Sequence, residues 1–145
     1  LEYEWADDGF TGDGANNSTF DHLYIDATLS LNGNGVYLTN SSGMTFTNND
    51  ITVAGEQVIY CFGASNSIFS NNTLTGTYSG ITSNESSNSV ITDNTITLPE
   101  SSHRAFEMDY CHGCLFDGNT VIGLPNDGIV ARWSDDVIIS NNIFD

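Results

Sequence analysis

Ser86-Ser-Asn-Ser-Val-Ile-Thr-Asp-Asn-Thr-Ile96 and Ser134-Asp-Asp-Val-Ile-Ile-Ser-Asn-Asn-Ile-Phe144 are two copies of one pattern. In each, an asparagine follows a large apolar residue by three places and precedes another by two: Ile91, Asn94 and Ile96, then Ile139, Asn142 and Phe144. Outward from these copies the same trio recurs as Phe46, Asn49 and Ile51, as Phe69, Asn72 and Leu74, and as Phe116, Asn119 and Val121. Successive asparagines are separated by 23, 22, 25 and 23 residues. Thirteen residues before each lies a third apolar position, Val36, Ile59, Ile81, Phe106 or Ile129. The residue preceding that one is Gly35, Val58, Gly80, Ala105 or Gly128, mostly small, as a tight turn requires.

A fixed repeat of this length is read as a stack of like units. Short alternating runs such as Met44-Thr-Phe46, bounded by Asn, Gly and Ser, predict strands. The density of β-branched residues, Gly and Asn disfavours helix. Keeping every strand in one phase over five repeats is required when each turn of chain rises by one strand spacing, about 4.8 Å, so that like stacks on like. The expectation is an all-β fold: a right-handed, single-stranded parallel β-helix of about six coils, each of 22 to 25 residues. The predicted β-helix spans 21–145, with a degenerate first coil over Leu23–Leu31 that puts Ala27 in the asparagine phase. Residues 1–20 are expected to lie outside the repeat, as a strand at Leu1, Tyr3 and Trp5 followed by an acidic loop, serving as a cap or an inter-subunit strand. Length variation concentrates between the residue two after the asparagine and the next small residue, as in Thr97–Arg104. That corner is where a functional groove is expected.

The chain has 145 residues, no Lys, two Arg (Arg104 and Arg132) and 19 carboxylates, for a formal charge of −17. Such a surface repels nucleic acid and anionic lipid, which excludes both as partners, and no apolar run is long enough for a membrane span. The first residue is Leu1 and no basic-then-apolar leader precedes it, so a processed extracellular chain or an excised piece is expected. Sequons at Asn16, Asn17, Asn40, Asn71 and Asn84 agree with export.

The two quoted segments resemble the parallel β-helix repeats of pectate-lyase-like proteins, a resemblance that covers roughly 21–145. Similar repeats occur in carbohydrate-binding and sugar-hydrolysing modules and in archaeal surface proteins. The resemblance implies the fold and leaves the function open, because the repeat is scaffold.

The phased asparagines Asn49, Asn72, Asn94, Asn119 and Asn142 are expected to form a structural ladder, their amides bonded from coil to coil. Lyases and hydrolases of the resembling family need acidic residues beside a basic one. The candidates are Glu107, Asp109, Asp135 and Asp136 with His103, Arg104, His112 and Arg132. No carboxylate pair recurs with the repeat, and the family's hydrolase motifs are absent, so no catalytic residue is assigned and a non-enzymatic chain is expected. Trp133 and Tyr78 fall outside the core phase and suit stacking on a sugar. No cofactor is expected; Asp7, Asp8 and Asp13 form an acidic loop that offers a Ca²⁺ site, and Cys111, Cys114, His112 and His103 offer a zinc set.

Cys61 shares the phase of Leu38 and Met108, and Cys114 that of Met44 and Val137, so both are expected to point inward. Cys111 shares the turn phase of Ser41 and Ser134. It is expected to be accessible and to bridge Cys114 or a neighbouring copy. The leading functional expectation is a self-assembling structural subunit of an extracellular cell envelope, a sheath, surface layer or fibre. Coil ends would pair through unguarded strand edges, with Leu1, Tyr3, Trp5, Ile143 and Phe144 at the joint. In architecture this is similar to the amyloid-like sheaths of methanogenic archaea. The alternative is a carbohydrate-binding or polysaccharide-cleaving β-helix module, whole or as a fragment, with glycans as partners.

Overall fold

The computed structural model describes residues 8–29, 32–123 and 125–145. The chain winds through six coils of three short strands each. The first coil holds β1 (Phe10–Asp13), β2 (Thr19–Asp21) and β3 (Tyr24–Ala27), and the second β4 (Val36–Thr39), β5 (Thr45–Thr47) and β6 (Asp50–Val53). The third holds β7 (Gln57–Phe62), β8 (Ile68–Ser70) and β9 (Thr73–Thr75), and the fourth β10 (Ser79–Asn84), β11 (Val90–Thr92) and β12 (Thr95–Thr97). The fifth holds β13 (Arg104–Asp109), β14 (Leu115–Asp117) and β15 (Thr120–Ile122), and the sixth β16 (Asp127–Arg132), β17 (Ile138–Ser140) and β18 (Ile143–Phe144). Each strand pairs in parallel with its counterpart one coil away, giving three six-stranded parallel sheets. Among the described residues no helix is long and apolar enough to cross a membrane.

The register stacks like on like. Val36, Ile59, Ile81, Phe106 and Ile129 are partners in the long-strand sheet β1-β4-β7-β10-β13-β16. Phe46, Phe69, Ile91, Phe116 and Ile139 are partners in the second sheet. Ile51, Leu74, Ile96, Val121 and Phe144 are partners in the third. These columns line the core, which is fully buried from Phe46 to Phe116 and open at the sixth coil, where Ile139 is 46% exposed. The aromatic rings of Phe20, Phe46 and Phe69 continue one another along the axis, with Phe20 stacked on Phe46 at 4.8 Å and Phe46 on Phe69 at 5.5 Å, and Phe10 packs beside the first two.

The first coil differs from the sequence expectation. Tyr24 pairs with Asp50 and Ile25 with Ile51, so the residue beneath Asn49 is Leu23 and not Ala27, which lies beside Val53. Residues 10–20 also belong to the helix, because Phe10 pairs with Val36 and Phe20 with Phe46. The cause is a longer first coil: both pairs are 26 residues apart, beyond the 22 to 25 of the repeat, and the ladder position holds Leu rather than Asn. Phe10, Phe20 and Ile25 nonetheless keep the repeat's offsets from Leu23. Leu1, Tyr3, Trp5 and Asp7 lie outside the described residues.

Three columns of left-handed residues turn the chain at its corners. After the long strands they are Gly14, Asn40, Gly63, Glu85, Tyr110 and Trp133. After the next bend they are Asn17, Gly43, Asn66, Asn88, Gly113 and Asp136, and before the asparagine ladder His22, Asn48, Asn71, Asp93, Gly118 and Asn141. Gly, Asn and Asp tolerate this conformation, which is why each column is made mostly of them. The four exceptions are His22, Glu85, Tyr110 and Trp133, of which Tyr110 and Trp133, at φ 55° and 50°, are the bulkiest.

Candidate functional site

Strand alternation in the long-strand sheet sends every second side chain outward. One outward row runs Tyr37, Tyr60, Thr82, Glu107 and Val130, and the next Thr39, Phe62, Asn84, Asp109 and Arg132. Arg104 and Asp127 pair at the start of β13 and β16. Glu107 sits between the two guanidinium groups: Arg104 Nη1 reaches its Oε1 at 2.6 Å, and Arg132 Nη2 reaches the same oxygen. Arg104 also faces Asp127 at 3.4 Å. Arg132 Nε lies 3.1 Å from Asp109 Oδ1, an ion pair bent too far for a hydrogen bond, since both atoms are otherwise without a hydrogen-bond partner among the described residues. This patch therefore joins both of the chain's arginines to three of its 19 carboxylates, for a net charge of −1.

Aromatic pairs flank this network at both ends of the same strands. Before β10 and β13, Tyr78 stacks on His103 at 5.3 Å, with rings 15° apart. After β13 and β16, Tyr110 stacks on Trp133 at 5.0 Å, with rings 12° apart. His103 and Tyr110 are seven residues apart along β13, so the two pairs stand about 23 Å from each other. Beneath them, Tyr37 stacks on Tyr60 at 5.4 Å. Thr82 Oγ1 and Asn84 Oδ1 are buried in the floor of this face without a hydrogen-bond partner among the described residues.

The sequence family described as a right-handed β-helix region matches residues 3–144. This chain belongs to the right-handed β-helix family. Among curated proteins, none matches this sequence.

On this β-helix, the candidate catalytic residues are divided. Arg104, Glu107, Asp109 and Arg132 come together on the outer face. His112 pairs with Asp135 on the following corner, and Asp136 occupies the left-handed turn beside them. Both carboxylates of the central cluster are engaged by guanidinium groups. The ion pairs hold these side chains in place. Tyr110, which completes the aromatic pair with Trp133, was not singled out by sequence, and His103, which completes the pair with Tyr78, was singled out only as a basic or zinc-binding candidate. The available signal was their 23- and 25-residue spacing from those partners, within the range of one coil.

The asparagine column is continuous inside the opposite corner. Asn72 Nδ2 donates to Asn94 Oδ1 at 2.9 Å, Asn94 Nδ2 to Asn119 Oδ1 at 3.0 Å, and Asn119 Nδ2 to Asn142 Oδ1 at 2.9 Å. Asn49 donates its backbone N–H to Asn72 Oδ1 at 2.9 Å. Each amide also donates to a backbone carbonyl of the coil below: Phe20, Phe46, Phe69, Ile91 and Phe116 in turn. Asn142, in the sixth coil, is half-buried, and the others are buried.

Asp8 accepts from the backbone and side chain of Asn34 at 2.7 and 3.1 Å, and Asp13 from Thr39 and Asn40 at 3.0 and 3.2 Å. These two candidate calcium ligands thus tie the first coil to the second. Cys111 and Cys114 point inward while His112 points out, so the zinc set does not converge. Among the described residues no group of three or more His, Cys, Asp or Glu side chains does.

Cys111 corrects the expectation of an accessible thiol. The residue after each left-handed corner turns inward, where Ser41, Ala64, Ser86 and Ser134 hold the same position, and Cys111 is buried there. All three cysteines are free, so Cys111 is not joined to Cys114, and its side chain is buried. Its Sγ donates to Ser83 O at 3.0 Å, and Cys114 Sγ to Ser86 O at 3.1 Å. Burial pushes the thiol pKa of Cys61 up. The folded protein is expected to resist an aromatic disulfide reagent and to release three thiol equivalents on unfolding without reductant. A thiol that reacts at once in the folded state, or fewer than three after unfolding, would contradict this placement.

Proposed function

We propose that this β-helix is an extracellular, non-enzymatic carbohydrate-binding module whose glycan lies across the outer face of the long-strand sheet. The observation that carries the reading is the two aromatic stacks on the outer face, one before β10 and β13 and the other after β13 and β16, with the guanidinium–carboxylate network between them. Sugars are bound by aromatic faces together with a few fixed polar groups, and this patch supplies both. Its two arginines leave the network at a net charge of −1 on a strongly acidic surface, so a neutral glycan can approach it where a polyuronate is repelled. Affinity electrophoresis through gels containing β-glucan, xylan, mannan or polygalacturonate is the test. Retardation by a neutral polymer with no cleavage of it is expected; free migration in every gel, or reducing ends released over time, would refute the reading.

A second reading, a self-assembling envelope subunit, is favoured by the apolar outer rim of the sixth coil. Ile138, Ile139, Ile143 and Phe144 are 44 to 59% exposed there. Such a rim accepts a further coil, from adjoining chain or from a second copy. Concentration-dependent growth in sedimentation velocity distinguishes this reading from a monomeric module.

A further inference from the structure

We propose that the stacked Tyr110–Trp133 pair is a built sugar subsite of this face, and that it takes an uncharged pyranose ring of a β-1,4-linked glucan by its C–H face. This rests on the carbohydrate-binding reading and names the ligand class.

The backbone carries the first part of the case. Tyr110 and Trp133 occupy the left-handed column in which the coils below use Gly14, Asn40, Gly63 and Glu85. A bulky aromatic residue in that conformation is strained, and the same chain shows how the corner is made without strain. Core packing does not explain the choice, because Tyr110 and Trp133 are 51 and 66% exposed. Their rings lie nearly parallel, at 12° and with centroids 5.0 Å apart, in successive coils, so they stack face to face as one aromatic unit rather than two isolated side chains.

The neighbours define the ligand. Asp109 and Arg132 directly precede the two rings and are paired with each other. Glu85 lies next in the column, and Asp135 and Asp136 follow Trp133. A ring bearing its own carboxylate would meet at least four like charges here, with the adjacent guanidinium already paired. A glucan ring has all its hydroxyls equatorial, which leaves both faces lined by C–H groups that match a flat aromatic surface. Its rim hydroxyls then reach the Asp109–Arg132 pair.

The test replaces each ring by the residue that sibling coils use at that position: Tyr110→Asn and Trp133→Gly. Both variants should melt no lower than the parent, because the strained conformation is relieved. Isothermal titration with cellohexaose should then show binding to the parent and a loss of at least about tenfold in each variant, with tetragalacturonate inert throughout. Parental affinity retained by both variants would overturn the subsite while leaving the carbohydrate-binding reading intact. Binding of tetragalacturonate in preference to cellohexaose would overturn the ligand class. Failure of the parent to bind any glycan of the electrophoresis panel would remove the underlying reading itself.

Discussion

Replacing Asn94 by leucine is expected to lower folding stability by about 4 kcal/mol. Asn94 stands mid-ladder and is buried. Its Oδ1 accepts from the backbone N–H and the side chain of Asn72 at 3.0 and 2.9 Å, and its Nδ2 donates to Phe69 O at 2.9 Å. Leucine fills a similar volume but leaves two donors and an acceptor without partners inside the coil, each at about 1–3 kcal/mol. Water cannot replace them at this depth. At Asn142 it can, because that residue is half-buried, so Asn142→Leu is expected to cost only about 1 kcal/mol. Urea unfolding of the two variants side by side measures both values. Equal costs would show that the ladder is not the device that holds this corner.

Phe46→Ala is expected to cost a similar amount, about 4 kcal/mol. Phe46 is fully buried between Phe20 and Phe69, with Phe10 at its edge. Its removal leaves a ring-sized cavity between stacked coils, and a solenoid transmits stability only through such nearest-neighbour interfaces. The expected signature is a lower midpoint together with a shallower urea transition, as the first coil separates from the rest. Tyr37→Ala is the matched control, since Tyr37 stacks on Tyr60 on the outer face and bounds no cavity.

The fold was legible because it is written in a period. The apolar residues at fixed offsets from Asn49, Asn72, Asn94, Asn119 and Asn142 are the very residues that the sheets bring into register. The first coil was misphased because Leu23 replaces the ladder asparagine and the spacing stretches to 26, although Phe10, Phe20 and Ile25 preserved the offsets. The exposure of Cys111 was misread for a related reason. Turn phase locates a residue along the coil, but which side of the corner it faces depends on the left-handed residue before it. The candidate site was only half legible. Arg104, Glu107, Asp109 and Arg132 stood out as rare charges in two adjacent coils, and Trp133 and Tyr78 as aromatics out of core phase. That they form one face between two stacked pairs required the register, which places Tyr110 beneath Trp133 and His103 above Tyr78.

The most direct test of the proposed binding face is a ¹⁵N-correlated NMR titration with cellohexaose. Perturbations are expected at the Trp133 indole, at the Nε–H groups of Arg104 and Arg132, and along the backbone of β13 and β16, with the asparagine ladder and strands β14 and β15 unmoved. Perturbations centred on β14 or β15, or none with any glycan of the panel, would contradict the assignment of this face.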